Sequence, residues 1–480
     1  MRKVAVRKKK LRVGFKGIVT TVDEASLSPE YCARAYNFAF ENGALTGGIG
    51  IDRARSYSPA PWLARHDIDY LDYNDKITEV FVYRRRTAQG AYDDRLVAHL
   101  QSGRFKYTGI FAQDSWHDIP ALNMAEGVTA VNYNYQGEDI LLLSSPEDHL
   151  YMLKDTTPMV CTQAPSFSSL CVYNERVFGS ANQAKNQVWF SDDFSPSNWT
   201  VSEEDGGYID FADECGDVIK VVTFLDYLYI FREHGIFRLT AYGDQSEFLL
   251  KKVFTNTGRI YKNTIAVCGD KIIFFADEGL FTFDGYTATR IAKELPPLIL
   301  YKDMASGAYL NDCYYLACRL ETDSFEDTLP NDTVVKYDMK SAQLSYLHGY
   351  DIKWLVTVKV HNASDVLCVF GSGEQNKLGM ISDSGKVMGT NTQKRYFSPP
   401  DIVSPYQKKT VRDVCVRTKY PLTLRVLTDG NACEYTLGGS DLPQKVIVEK
   451  CASKVAIELV CNSDKAHVSP IEVSVDVLNE

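Results

Sequence analysis

AVCGDKIIFFADEGLFTFDGYT, residues 266–287, has the pattern on which the fold prediction rests. It contains two short apolar runs, KIIFFA and GLFTF, which are separated by Asp277-Glu278 and closed by Asp284-Gly285. Runs of five or six residues rich in Ile and Phe are too short for buried helices and are typical of strands buried on both faces. Asp-Gly pairs mark turns. We therefore predict a strand, a turn and a second strand here.

The same pattern recurs along the chain, with equivalent positions 38 to 54 residues apart. The paired runs lie at 139–155, 170–194, 222–243, 266–287, 308–347 and 365–385, and a further pair lies within 77–112. A repeat of this length with four short strands per unit is typical of β-propellers, in which both faces of each sheet pack against neighbours. The sequence therefore predicts an all-β fold, with a β-propeller of about six to seven blades over residues 60–400.

The two ends of the chain differ from this repeat. Residues 1–59 are expected to form an N-terminal arm with a short helical or extended segment, in which 28–43 (SPEYCARAYNFAFENG) has helical spacing and ends at Asn42-Gly43. A proline-containing linker at 395–407 precedes strands with clean apolar–polar alternation, such as VRDVCVRT (411–418). We therefore predict that residues 401–480 form a small antiparallel β-sandwich domain.

Charge is unevenly distributed. The net charge is −10, yet residues 1–12 carry seven positive charges and no negative ones. An acidic body repels nucleic acid rather than gripping it. The basic arm is consistent with either a solvated terminus or a contact with phosphate or an acidic partner surface. We expect neither a secretory signal nor a membrane-spanning segment, because no long apolar run is present.

Motifs that carry catalysis or bind metals are absent from the sequence. The 12 cysteines are scattered without any C-x-x-C pair, and no G-x-S-x-G, P-loop or H-E-x-x-H motif occurs. We expect most of the cysteines to be reduced, buried and structural. The sequence therefore predicts that the protein is not an enzyme, with no catalytic residues, no cofactor-binding residues, no cofactors and no metal ligands.

One stretch, NQVWFSDDFSPSNWT (186–200), nevertheless resembles a sugar-cleaving site, because Trp189 and Trp199 flank Asp192 and Asp193. Glycosidases use two carboxylates about 5–10 Å apart. The alternative is a turn closed by side-chain hydrogen bonds. Acidic turn residues recur at similar places in other repeats: Asp155, Asp284, Asp338 and Asp383. A repeated feature is more typical of architecture than of catalysis, so the turn is the favoured interpretation.

Two further groups of charged residues are interpreted as structural rather than functional. Glu233 and His234 are adjacent, and neighbouring side chains in a strand point to opposite faces, so we predict a turn rather than an acid–base pair. The basic run 84–86 lies close to Asp93-Asp94 and is expected to form a solvated hairpin or a subunit contact.

Three stretches resemble a known family. LSPEYCARAYNFAFENGALTGGIG (27–50) resembles the start of phage tail proteins. RVFGSANQAKNQVWFSDDFSPSNWT (176–200) and DKIIFFADEGLFTFDGYT (270–287) are similar to their blade units. The family is that of the tail-nozzle or packaged-DNA stabilisation proteins of short-tailed phages, and the resemblance extends over residues 20–400. It implies that Trp189 anchors a blade core, and that Trp199 pins the turn containing Pro196 and Asn198.

The resemblance also implies a function. We expect a structural protein of the virion tail, assembled in the host cytoplasm, that forms a cyclic homo-oligomer around the DNA exit channel, a hexamer by resemblance. Its partners would be portal-adaptor and other tail proteins, together with genomic DNA that passes without sequence-specific binding. The long loop 320–332, which is rich in Asp and Glu, is expected to gate the channel. The alternatives are a propeller that binds host-surface glycans through exposed aromatic residues, and one that cleaves them.

Overall fold

The computed structural model describes residues 5–55, 67–68, 75–87, 89–110, 115–256, 258–293, 295, 299–320, 331–360, 363–372, 375–402 and 407–479. Within these ranges the chain is built from β-strands and turns, and its helical turns are short 3-10 segments: Glu24–Ser26, Gln245–Glu247, Lys262–Thr264 and Lys302–Met304. No helix in the described ranges is long and apolar enough to cross a membrane. The predicted all-β class is confirmed.

The first five strands contribute to several different sheets. They are β1 (Ala5–Val13), β2 (Arg34–Tyr36), β3 (Phe38–Glu41), β4 (Ala44–Gly47) and β5 (Gly50–Arg53).

Four-stranded antiparallel meanders then follow one another along the chain, and we number these sheets in chain order. Sheet one contains β6 (Ile77–Tyr83), β7 (Arg95–Leu100), β8 (Arg104–Gly109) and β9 (His117–Asn123). Sheet two contains β10 (Thr129–Tyr135), β11 (Glu138–Ser144), β12 (Leu150–Lys154) and β13 (Thr157–Cys161). Sheet three contains β14 (Phe167–Tyr173), β15 (Arg176–Ala181), β16 (Gln187–Phe190) and β17 (Gly207–Asp210).

The next two sheets repeat this pattern. Sheet four contains β18 (Val218–Phe224), β19 (Tyr227–Arg232), β20 (Gly235–Thr240) and β21 (Leu249–Thr255). Sheet five contains β22 (Ala266–Cys268), β23 (Lys271–Ala276), β24 (Gly279–Phe283) and β25 (Ala288–Ile291).

The last two sheets vary the pattern. Sheet six contains β26 (Ile299–Leu300), β27 (Ser306–Leu310), β28 (Cys313–Leu320), β29 (Thr333–Asp338) and β30 (Gln343–His348), and both β26 and β27 pair with β28. Sheet seven contains β31 (Ile352–Val360), β32 (Ala363–Ser372) and β33 (Gln375–Ser382), and its fourth strand is β5 from the N-terminal region. The short strands β34 (Lys386–Val387) and β35 (Thr390–Asn391) extend the β5 edge.

The stretch 266–287 behaves as expected. Its two apolar runs are β23 and β24, which pair with Phe274 opposite Phe281. The two rings stack with their centroids 5.4 Å apart. Aromatic cross-strand pairs of this kind stabilise antiparallel sheets.

The sheets succeed one another around a shared axis. β10 contacts β14, β14 contacts β18, β22 contacts β27, β27 contacts β31, and β31 returns to contact β6 of sheet one. The first strands of the sheets, with the residues leading into them, line one cavity of about 900 Å³. Repeated four-stranded sheets around a shared axis are the architecture of a β-propeller, which confirms that part of the prediction.

The remaining strands are β36 (Lys394–Phe397), β37 (Lys409–Val416), β38 (Leu422–Thr428), β39 (Asn431–Leu437), β40 (Gln444–Ala452), β41 (Val455–Cys461), β42 (His467–Val468) and β43 (Ile471–Asn479). Strand β42 pairs with β4 in the three-stranded sheet β3-β4-β42. All the others belong to one sheet in the order β1-β43-β37-β40 and another in the order β2-β36-β41-β38-β39. Residues 5–13 of the basic segment are therefore a paired edge strand. A single buried apolar cluster joins these two sheets to sheets five and six.

The helix predicted over 28–43 is wrong. Residues Arg34–Tyr36 and Phe38–Glu41 are strands, and Asn42-Gly43 forms the turn of the β3–β4 hairpin with φ values of 51° and 75°. Positive φ at both positions of a two-residue loop is the hairpin geometry that Asn-Gly favours. Phe38 and Phe40 are buried on alternate positions, so the period of two outweighs the apparent helical spacing.

The cysteines follow the sequence expectation. All twelve are free, and most are buried, whereas Cys451 is exposed. Burial raises the pKa of the Cys171 thiol to about 12, so the reactive thiolate form is suppressed there.

Candidate functional site

Asp192 closes the turn that follows β16. Its Oδ1 accepts a hydrogen bond from the backbone N–H of Asp193 at 2.8 Å, and its Oδ2 accepts one from Asn198 Nδ2 at 3.3 Å. Burial, with a further contribution from Asp193, raises the pKa of Asp192. The two carboxylates belong to consecutive residues and one is occupied within the turn, so the geometry favours the architectural interpretation over a glycosidase pair.

The two tryptophans of this stretch have different environments. Trp199 is 2% exposed, packs against Phe167 with a centroid distance of 4.9 Å, and donates from Nε1 to the Pro196 carbonyl at 2.9 Å. It pins the turn, as the resemblance implied. Trp189 is only half-buried and stacks on Tyr208 at 5.1 Å, so it covers the edge of the sheet-three core rather than filling it.

Glu233 and His234 form the two-residue turn between β19 and β20, as predicted. His234 Nδ1 lies 3.1 Å from the Gly258 carbonyl oxygen. Glu233 Oε1 instead pairs with Arg259 at 3.2 Å. The two side chains engage different groups, so they do not act as an acid–base pair.

The basic run 84–86 joins sheet one to sheet two. Arg85 pairs with Asp93 at 3.3 Å and with Asp155, which also pairs with Arg95 at 2.8 Å. Burial opposes ionisation of Asp155, but the two guanidinium groups outweigh it and lower its pKa. These charges are therefore used within the chain, between neighbouring sheets.

A buried polar cluster in sheet six has the composition of a catalytic triad, and sequence reasoning did not single it out. Thr333 Oγ1 lies 2.6 Å from His348 Nδ1 and donates to Asp332 Oδ1 at 2.7 Å. All three residues are buried, and the His348 ring stacks on Tyr36 at 4.7 Å. The cluster is sealed from solvent and connects the N-terminal strands to sheet six, so its geometry supports a structural role.

Large apolar side chains are exposed at one end of sheets three to five. In each sheet the loops after the first and third strands lie at the same end, because successive strands are antiparallel. Phe194 (68% exposed), Tyr242 (53%) and Tyr286 (61%) all occupy such loops, and we call these three residues the aromatic cluster. An exposed Leu225 lies in the loop between β18 and β19 with φ 44°, a conformation that branched side chains rarely adopt.

The aromatic cluster is supported from beneath. Tyr173 approaches Tyr242 with a centroid distance of 6.2 Å, and the Arg238 guanidinium lies 4.9 Å from the centre of the Tyr286 ring. Aromatic rings held in this way lose little entropy when a partner covers them. Exposed apolar side chains at the same end of neighbouring sheets mark a candidate interaction site.

Two surfaces of opposite charge complete the set. The basic edge is strand β1, whose exposed cations are Arg7, Lys8, Lys9, Lys10 and Arg12. The acidic segment is residues 202–217 around β17, which contains seven carboxylates and neither Lys nor Arg. Its residues Glu203, Glu204 and Glu214 are exposed. The two surfaces belong to different sheets of the molecule.

Residues 321–330, which make up most of the segment 320–332 that is expected to gate the channel, lie outside the described residues.

Comparisons with known proteins add little to this geometry. No family model and no curated protein matches the chain. Among solved structures, the BBS1N–ARL6DN complex soaked with lead matches at 10% identity and a TM-score of 0.41, covering 65% of this chain and 96% of that one. PorZ of the type-IX secretion system of Porphyromonas gingivalis matches at 10% identity and a TM-score of 0.36, covering 71% of this chain and 51% of that one. Likenesses this distant carry no argument about function.

Proposed function

We propose that this protein is a structural subunit of a short-tailed phage virion, which forms the tail nozzle below the portal and adaptor. In this role it retains the packaged DNA and lets it pass during ejection. The proposal rests on the resemblance of residues 27–50, 176–200 and 270–287 to nozzle proteins. The structural observation that best supports it is the separation of the basic edge from the acidic segment.

This separation suits a ring of identical subunits. A head-to-tail contact needs two different, complementary surfaces on each copy, and it closes into a ring when the rotation between copies is a whole fraction of a turn. The basic edge of one copy and the acidic segment of the next supply such a pair. Six copies is the number that the resemblance implies.

The finer architecture belongs to the same proposal. Sheets one to seven would be the seven blades of one propeller, which β5 closes by completing sheet seven. The sheets β1-β43-β37-β40 and β2-β36-β41-β38-β39 would be the two layers of the C-terminal sandwich. The acidic body would line the DNA channel and repel the duplex, so that DNA slides rather than binds.

Native mass spectrometry with electron microscopy of the purified chain tests the proposal. We expect a ring of about six copies with a central hole wider than a DNA duplex. Such a duplex is ~20 Å across, with a major groove of roughly 12 Å. The double variant Lys8→Glu/Lys10→Glu should lose the ring. The matched control is Lys450→Glu, which reverses an exposed charge on the opposite edge strand of the same sheet. Equal loss in both variants would contradict the role of the basic edge.

A second candidate function is recognition of host-surface glycans, which the aromatic cluster favours. Sugar rings stack on exposed aromatic faces, and the three rings of the cluster share one end of neighbouring sheets. The test is binding of host polysaccharide to the wild type and to Tyr242→Ala. Tyr301→Ala is the control, because Tyr301 is 61% exposed and lies in the segment leading into β27, at the opposite end. Two results together would favour this candidate: the protein forms no ring, and Tyr242→Ala loses polysaccharide binding while Tyr301→Ala keeps it. Release of reducing ends would indicate cleavage instead.

A further inference from the structure

The cavity at the propeller axis is a feature that the proposed function does not use. Its volume is about 900 Å³, within the size range of small-molecule sites. Residues from each of the seven sheets, or from the segments leading into them, contribute to its wall. Most of these residues lie at the starts of first strands, so the cavity occupies the end of the axis opposite the aromatic cluster.

Two lysines from neighbouring sheets face this cavity. Lys220 of β18 donates from Nζ to the Ile265 carbonyl at 2.8 Å, and Lys262, which leads into β22, donates to the Ser168 carbonyl. Among the described residues neither ammonium group has a carboxylate within ion-pair distance, 4.0 Å. Two cations are therefore held together by backbone carbonyls rather than by counter-charges.

The titration of these lysines reflects that arrangement. Burial and then repulsion from Lys262 lower the pKa of Lys220 to about 8. Burial also lowers the pKa of Lys262, and Glu79 opposes this only in part. A bound anion would relieve both effects, since an opposite charge within a few ångströms favours the charged form of an amine.

Three carboxylates line the cavity, and two of them, Glu79 and Asp303, are engaged by other groups. Glu79 Oε2 lies 2.7 Å from His99 Nδ1, and its Oε1 accepts the Gly127 N–H at 3.0 Å. Asp303 pairs with Arg259 at 2.8 Å. The third carboxylate, Glu126, is exposed. Four lysines face these three carboxylates in the wall, so positive charge remains in excess there.

Neutral groups in the same wall suit an organic ligand. Ser169 lines the cavity and accepts the Val221 N–H through its hydroxyl oxygen at 3.1 Å, which leaves the hydroxyl proton available for donation. Trp354 and Phe81 add aromatic surface. The indole N–H of Trp354 is buried and has no hydrogen-bond partner among the described residues.

We propose that the axial cavity binds a phosphate monoester that carries a planar or apolar group, of the class of nucleoside monophosphates. The phosphoryl dianion matches the two ammonium charges of Lys220 and Lys262 and offers three acceptor oxygens. The organic part packs against the wall that contains Trp354 and Phe81. This site is independent of the nozzle function, because it lies within one subunit.

Isothermal titration calorimetry with AMP, adenosine and inorganic phosphate tests the site on the full-length chain. We expect AMP to bind more tightly than either of its parts, since only AMP uses both the lysines and the aromatic wall. Lys220→Met and Lys262→Met should each weaken AMP binding by about tenfold or more, which is the loss of one charge-assisted hydrogen bond. Lys353→Met is the matched control, because Lys353 lines the same cavity but pairs with Asp351 at 2.6 Å.

Thermal unfolding separates a binding role from a structural one. Replacing one of the two repelling, partly buried cations with Met should leave the melting temperature of the unliganded protein unchanged or raised, while the rise produced by AMP is lost. Lys262→Arg keeps the charge and should retain AMP binding, so it covers the case in which a Met variant fails to fold. Absence of AMP binding to the wild type, or equal binding by wild type and both Met variants, would overturn the proposal.

Discussion

Trp199 provides the sharpest test of how the sheet-three turn is held. The change is Trp199→Ala, which removes a side chain that is 2% exposed together with its hydrogen bond to the Pro196 carbonyl. The adjacent Asn198 also ties the turn together, through Asp192 and Asp205. Loss of the indole should therefore loosen the whole 191–206 loop rather than one contact.

The magnitude follows from the area buried. A tryptophan buries about 150–250 Å², which at ~25 cal/mol per Å² corresponds to roughly 4–6 kcal/mol as an upper bound. Measured Trp→Ala changes in cores cost about 3–5 kcal/mol, and we expect a loss near the middle of that range. Trp199→Phe keeps most of the ring but removes the donor, so it should cost about 1–2 kcal/mol.

The assay is unfolding in urea, monitored by far-UV circular dichroism. The midpoint urea concentrations of the variants are compared, provided that the dependence of the free energy of unfolding on urea concentration is unchanged. Trp189→Ala is the control, because Trp189 lies in the same stretch but is half-buried and stacks on Tyr208. Its cost should be less than half that of Trp199→Ala. Equal costs for the two alanine variants, or a loss below about 1 kcal/mol for Trp199→Ala, would refute the role given to Trp199 as the anchor of the turn.

Three further predictions concern the joints between sheets. Lys409→Met should lower the free energy of unfolding in urea by about 3–5 kcal/mol. The reason is that Asp401, whose side chain is 11% exposed and lies 2.9 Å from Lys409, loses its ion-pair partner. The double variant Lys409→Met/Asp401→Asn should recover most of this stability. Burial lowers the pKa of His348, although Asp332 opposes this effect, so protonation favours the unfolded chain. The free energy of unfolding should therefore fall as the pH drops below 6.5, the ordinary pKa of histidine. The fall should be less steep in the His348→Asn variant. Ile51→Asp places a charge at a fully buried position of β5. It should separate β5 from β33 and lower the melting temperature. Hydrogen exchange should show that the amides of β33 lose protection.

Local patterns account for the parts of the fold that were predicted correctly. The runs KIIFFA and GLFTF coincide with β23 and β24, because short apolar runs bounded by turn residues leave a strand as the only economical conformation. The same local reasoning failed over 28–43. There the spacing of Tyr31, Ala35 and Phe38 imitates a helix, whereas Asn42-Gly43 belongs to a hairpin turn.

The surfaces and sites were less predictable than the strands. The turn at Asp192 was inferred from its recurrence, but the aromatic cluster combines residues of three sheets, and its three members share no local motif. Likewise, Lys220 and Lys262 are 42 positions apart and resemble ordinary surface lysines in the sequence. Only the curvature of neighbouring sheets around one axis brings them into the same cavity.

The all-β class, the repeated four-stranded unit and the free state of the buried cysteines were predictable from the amino-acid sequence. They depend on period-two burial, turn chemistry and residue spacing within a few dozen positions. The tertiary structure decided that β1 pairs with β43, that β5 completes sheet seven beside β33, and that two lysines meet at the axis. The two lysines are 42 positions apart, and the two strand pairings join residues hundreds of positions apart. Their free energy comes from shared buried surface and long-range register, neither of which leaves a mark on the local sequence.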